Sequence, residues 1–119
     1  VVLAEGGARS QAAALNAGIR AAGGDYIAFL EDDDLWSPEY LAQALDLLRT
    51  VDFVSSTQLD MSVDGEVQRI SDFPTPSGWV MHRRTLEAVG LFDETHRWHL
   101  DSEWLGRLGD SGLKRAHLV

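Results

Sequence analysis

Hydrophobic positions fall first into short runs and then at helical spacing, and this alternation predicts a strand–helix–strand unit at the start of the chain. Val1 to Ala4 reads as a short buried strand, and Glu5-Gly6-Gly7 as the turn that leaves it. From Ala8 to Ala22 an Ala-rich segment carries Ala12, Leu15, Ile19 and Ala22 at the spacing of one helix face, with Gly23-Gly24 as its stop. The apolar run Tyr26-Ile27-Ala28-Phe29-Leu30 is the second strand, read as buried, and it ends abruptly at Glu31-Asp32-Asp33-Asp34. Ser37-Pro38 then supplies a helix N-cap with proline at the first helical position. Leu41, Ala44, Leu45 and Leu48 mark one face of a helix running to about Arg49.

The second half changes character. Asp52 to Ser56 is a further short strand, and Asp64-Gly65, between Met61-Ser62-Val63 and Glu66-Val67, signals a hairpin. Asp72 to Ser77, with Pro74 and Pro76, reads as a loop before a strand over Gly78 to Met81. Arg84 to Val89 is a short helix stopped by Gly90, and Leu91 to Glu94 a turn. Asp101 to Leu108 is a helix closed by Gly109 and Gly112, and Leu113 to Val119 a last strand. The elements describe an α/β chain with a small antiparallel hairpin insert, a single domain over 1–119.

Composition narrows the function classes. A 45% hydrophobic content and mixed charge belong to a globular chain. The formal charge of −9 argues against binding a nucleic-acid backbone, because no basic face accompanies it. With no cysteine, disulfides and cysteine-based zinc sites are excluded, which fits the cytoplasm. No apolar stretch reaches the roughly 20 residues a membrane span needs. The chain starts at Val1, in what reads as the middle of a strand, which suggests a piece of a longer protein; contact with a membrane surface would come through parts outside it.

The junction of strand and acids carries the most chemistry. Ligands bind at the carboxyl ends of strands in open α/β sheets. Four carboxylates in one turn repel one another, and a hard divalent cation relieves that repulsion while attracting phosphate. The plainer alternative is a solvated loop in which Asp34 and Ser37 start the next helix. The abutting apolar strand and the following Leu35-Trp36 favour the first. An EF-hand-like loop fits poorly, since Ser37 stands where that loop needs glycine. Glycoside hydrolysis by Asp33 and Asp101 fits poorly too, because it calls for two separated acids and not four adjacent ones.

Two separated sets of residues resemble one family. Gly6-Gly7-Ala8-Arg9-Ser10, Asn16-Ala17-Gly18-Ile19 and Ala22 through Trp36 are similar to the nucleotide-sugar half of family 2 glycosyltransferases of the GT-A fold. Ser77 through Arg84, Val89-Gly90-Leu91-Phe92-Asp93-Glu94 and His99 through Trp104 look like that family's acceptor-side segment, in the family's order. The resemblance implies a partial GT-A, Rossmann-like mixed sheet flanked by helices, with residues 1–50 as the donor and metal part and 51–119 as the acceptor part. The family's first strand and helix, which hold the nucleobase, would precede Val1.

What the resemblance implies chemically is inverting transfer of a sugar from a nucleoside-diphosphate sugar donor to a carbohydrate or other hydroxyl acceptor, with Mn²⁺ or Mg²⁺ as cofactor. Glu31 replaces the usual first Asp of the Asp-x-Asp motif, and Asp33 is the second, the chosen metal ligand. Glu31 and Asp32 would contact the donor's hydroxyls, and Asp34 stands as a second ligand or a brace. Asp101 matches the general base, at a helix start where the dipole favours negative charge; helix capping is its plainer role. Glu103 replaces it if the register shifts. Arg9 is a donor contact or a surface arginine. Asn16, polar in an Ala-rich helix, suggests a buried hydrogen bond to the acidic loop. Trp36, Trp79, Trp98 and Trp104 would all suit sugar rings; Trp36 and Trp79 are read as core, Trp98 as the acceptor platform, and His99 as a weaker base or acceptor contact. A catalytically inactive fragment serving as a metal-binding or assembly module is the alternative.

Overall fold

A computed structural model describes residues 11–31, 34–71, 75–95 and 100–119. The expected strand Val1–Ala4, the turn after it and the first residues of the first helix lie outside that set, as do 32–33, 72–74 and 96–99. The described elements are α1 (Gln11–Ala21), β1 (Tyr26–Ala28), α2 (Tyr40–Leu47), β2 (Phe53–Ser56), β3 (Gln58–Met61), β4 (Val67–Ser71), a 3₁₀ turn (Pro76–Gly78), β5 (Val80–His82), α3 (Arg83–Val89), α4 (Leu100–Asp110) and β6 (Arg115–Leu118). This is the expected mixed α/β class. A four-stranded mixed sheet has the order β1-β5-β2-β6, and β3-β4 forms a separate two-stranded antiparallel sheet.

Register explains why β2 is buried throughout. It pairs antiparallel with β5, Phe53 opposite Met81 and Val54 opposite Val80, and parallel with β6, from Phe53 opposite Arg115 to Ser56 opposite Leu118. The β5 pairing ends at Val54; Ser55 and Ser56 pair with β6 alone, and their buried hydroxyls meet His117 Nδ1 at 2.8 Å and Gly78 O at 3.5 Å. β1 departs from expectation. It stops at Ala28, and only Ile27 and Phe29 are buried, while Tyr26 and Leu30 are each about half exposed at 47% and 49%. Apolar content alone could not separate a strand covered on both faces from this one-sided alternation.

The chain divides into two compact units, residues 1–27 with 82–113 and residues 28–81 with 114–119. In the second, α2 lays Tyr40, Ala44 and Leu48 against Val54 and Val80, with Trp36, Leu47, Val51 and Leu118 packed around them. The buried stripe is thus Tyr40-Ala44-Leu48, and the expected Leu41 and Leu45 sit beside it at 38% and 40% exposure. The helix also starts later than Ser37-Pro38 predicted: those residues form a turn in which Tyr40 N–H donates to Ser37 O at 3.1 Å, and Glu39 is the N-cap. Trp79, fully buried, meets Phe29 edge-on with ring centres 6.3 Å apart and Phe53 at 5.5 Å. The hairpin turns near Asp64-Gly65 as expected, with Gly65 at φ 85 where a side chain is disfavoured.

The first unit is organised by one buried amide. Asn16 on α1 is 1% exposed; its Nδ2 donates to Phe92 O and Glu94 Oε2, and its Oδ1 accepts from Phe92 N–H, each at 2.9 Å. The expected buried hydrogen bond is there, and among the described residues its partners are Phe92 and Glu94. Sequence shows that a polar residue in an Ala-rich helix needs a partner, but not which loop supplies it. Arg83 at the start of α3 closes the other end of α1, donating from Nε to Gly24 O at 2.7 Å and from Nη2 to Ala22 O at 2.6 Å.

Two outcomes follow. Asn16→Ala strands both polar groups of Phe92 in the interior and should lower stability by about 2–3 kcal/mol in urea unfolding. The Tyr40 hydroxyl is buried, and burial pushes its pKa above the usual 10.0, with the Ser56 hydroxyl opposing in part. Among the described residues it makes no hydrogen bond of ordinary geometry. A raised folded value means the folded state holds the proton more tightly, so stability is intact below about pH 10 and falls as pH rises through the folded pKa. Tyr40→Phe should reduce that alkaline fall, measured as the urea midpoint between about pH 9 and 11.

Candidate functional site

The acidic turn follows Phe29, whose N–H donates to Trp79 O at 3.4 Å and keeps the chain beside the start of β5. Glu31 and Asp34, its two ends, are described and half-buried; Asp32 and Asp33 lie outside the described residues. Asp34 N–H donates to Glu31 O at 3.1 Å, which folds the turn back on itself. One side chain then holds both ends. Ser77 Oγ accepts from Glu31 N–H at 2.9 Å and donates to Asp34 Oδ2 at 2.7 Å. Immediately after the turn, Trp36 Nε1 donates to Ser77 O at 2.9 Å.

Ser77 can do this because its own segment is seated from below. The 3₁₀ turn has Pro76 at its start, where a missing N–H costs nothing, and is closed by Gly78 N–H to Thr75 O and Trp79 N–H to Pro76 O, both 2.9 Å. Gln58 and Thr75 exchange side-chain hydrogen bonds, Nε2 to Thr75 O at 3.2 Å and Thr75 Oγ1 to Oε1 at 3.0 Å. Gly78 lies so close to β2 and β3 that a Cβ there would stand 2.7 Å from Gln58 Nε2 and 2.9 Å from Ser56 Oγ. Glycine is favoured here by this close approach, since a Cβ would push the Gln58 and Ser56 side chains aside, and not by backbone angle.

Asp101 belongs to the first unit, on the first turn of α4, and its Oδ1 accepts from Ser102 N–H at 2.9 Å. Glu103, its alternative, is engaged elsewhere: both its oxygens meet Arg107, at 2.7 and 2.8 Å. Arg107 continues to Val89 O at 3.1 Å and Leu91 O at 2.8 Å, so one guanidinium ties α4 to the loop after α3. Trp104 adds a bond from Nε1 to Gly90 O at 2.9 Å and stacks obliquely on Phe92, ring centres 5.7 Å apart. Being fully buried, Trp104 is withdrawn from the sugar-stacking role that its residue type allowed. Gly90, at φ 98, turns the chain beneath it. Arg9, Trp98 and His99 lie outside the described residues.

Ser77, Arg107 and the Gln58–Thr75 pair were not among the sequence candidates. A hydroxyl ahead of Gly-Trp gives no sign of a partner more than forty positions away, whereas Glu103 and Arg107, four apart on one helix, did carry a readable ion-pair signal. Chemically, the carboxylates at the two ends of the turn are hard oxygen donors of the class Mg²⁺ or Mn²⁺ prefers, with one oxygen of Asp34 already engaged by Ser77. Among the described residues no group of three or more His, Cys, Asp or Glu converges, and no helix is long and apolar enough to cross a membrane.

Known proteins place this arrangement in context. The sequence pattern of Glycosyl transferase family 2 matches residues 2–100. The chain is similar to an uncharacterized glycosyltransferase of Nostoc sp., 34% identical over 116 residues that cover 77% of this chain and 36% of that protein. It is also similar to the uncharacterized glycosyltransferase YwdF of Bacillus subtilis, 30% identical over 124 residues that cover 87% of this chain and 46% of that one. The chain thus spans between about a third and a half of the length of these relatives.

Arg107→Lys keeps the charge but not the fork that reaches Glu103 and two carbonyls at once. We expect a loss of about 1–2 kcal/mol in thermal or urea unfolding, with Arg107→Met losing more because Glu103 is then left half-buried without its partner.

Proposed function

Because the chain belongs to glycosyl transferase family 2, we propose that it transfers a sugar, with inversion, from a nucleoside-diphosphate sugar to the hydroxyl of a carbohydrate or other acceptor. The acidic turn is the observation that carries this assignment. Its ends are fastened to a buried platform rather than left to solvent, as a donor-binding group requires and a solvated loop does not. A cytoplasmic location suits a chain without cysteine.

The residues divide the work by their chemistry. Asp33 would hold Mn²⁺ or Mg²⁺, which supplies Lewis-acid stabilisation of the departing diphosphate. Glu31 and Asp32 would accept hydrogen bonds from donor hydroxyls, and Arg9 would pair with donor phosphate. Asp34, already bonded through Oδ2 to Ser77, is better suited to brace the turn than to serve as the second ligand. Asp101 would take the proton from the attacking acceptor hydroxyl as that oxygen bonds to the anomeric carbon and the bond to the diphosphate breaks. It stands on the first turn of α4. Trp98 and His99 would line the acceptor side.

Calorimetry with UDP-, GDP- and dTDP-sugars, with and without Mn²⁺, tests donor binding. We expect Asp33→Ala to remove the metal-dependent component, and Asp101→Asn to leave binding unchanged while product formation falls by about 10²-fold or more. Equal loss of binding in both variants would overturn this division of roles. No metal-dependent binding by the unsubstituted chain would leave it a non-catalytic module.

A further inference from the structure

We propose that Ser77 is the positioning residue of the acidic turn: its hydroxyl sets the distance between Glu31 and Asp34 and so shapes the turn for a cation and its diphosphate. This rests on the donor-binding role proposed for the turn.

A serine hydroxyl has one hydrogen to give and lone pairs to receive. Ser77 uses both kinds of capacity on the same turn, giving its hydrogen to Asp34 Oδ2 and receiving Glu31 N–H. At 2.7 Å the bond to Asp34 has the length of a hydroxyl–carboxylate contact, stronger than a neutral pair, and it places a positive dipole against one of four mutually repelling acids. The Trp36 indole binds the carbonyl of the same serine, so three successive points of the chain, Glu31, Asp34 and Trp36, are referred to one residue. That residue is 6% exposed, and it stands on a turn held by Gln58–Thr75 and by the close approach of Gly78 to β2 and β3.

The consequence is a hydrogen-bonded support of the kind that orients ligand side chains from behind. Asp34 acts through Ser77 to hold the turn, and the spacing of the acids does not depend on the cation to arrange it. Ser77→Ala removes a single oxygen from a buried position, leaving the platform itself in place.

Two measurements decide this. Amide hydrogen exchange at Glu31 and Asp34 needs no ligand: in Ser77→Ala the Glu31 amide should exchange at least about tenfold faster, while amides of β2 and α2 are unchanged. Binding of UDP, GDP and dTDP in the presence of Mn²⁺ should weaken by about 10- to 100-fold in the same variant. The double variant Ser77→Ala/Asp34→Ala should lose no more than the worse of the two single variants, because both act on one support. Unchanged protection at Glu31, wild-type affinity in Ser77→Ala, or simply additive losses would each overturn the proposal. If the unsubstituted chain binds none of the three nucleotides, the donor-binding role fails instead, and the metal-shaping half of the proposal fails with it. Glu31 exchange then decides the structural half alone.

Discussion

The seating of Thr75–Trp79 against β2 is the constraint on which the second unit depends. Trp79 is fully buried between Phe29 and Phe53, and its neighbour Gly78 lies against the side chains of Ser56 on β2 and Gln58 on β3, which a Cβ there would displace. That approach brings Ser77 into contact with the acidic turn and carries the chain into β5, which pairs with β2. Apolar packing therefore fixes a polar geometry: dispersion and burial hold the tryptophan, and the hydrogen bonds follow from where the backbone must then run. A glycine-to-alanine change at Gly78 would disturb the turn through this route without touching an acid.

The first unit solves a comparable problem with polar groups. The loop from Val89 to Glu94 has little regular structure, yet Asn16, Arg107 and Trp104 engage its backbone at Val89, Gly90, Leu91 and Phe92. Buried backbone groups outside helices and sheets need such partners, and side chains from α1 and α4 provide them. Because Asp101 shares α4 with Trp104 and Arg107, the same contacts that stabilise the loop orient the helix that carries the proposed base. If Asp101 is the base, structural and functional demands fall on the same few side chains of α4.

Membership of glycosyl transferase family 2 gives these contacts a purpose without specifying the chemistry of this chain. The relatives it matches are themselves uncharacterized glycosyltransferases, longer than this chain. Glu31 stands at the head of its four consecutive acids. Its backbone N–H is held by Ser77. That anchors the main chain at the head of the turn.

Much of the architecture was legible from local patterns. Strand β2, the hairpin turn at Asp64-Gly65, the stop at Gly90 and the helix from Leu100 onward each follow from periodicity and turn chemistry that act over a few residues. A polar turn beginning at Glu31 was equally readable, since a run of four carboxylates is costly to bury. The long-range pairings were not. Asn16 could be recognised as needing a partner but not as Phe92's; Trp104 could be a platform or a core residue; on α2, Ala44 and Leu48 were expected inside and are, while Tyr40 takes the place expected of Leu41 and Leu45. Local sequence determines which groups must be satisfied and which surfaces must be covered. Only the tertiary structure decided what satisfies them, because partners such as Ser77 and Asp34 are brought together by packing that depends on the whole of a unit and leaves no mark in the residues between them.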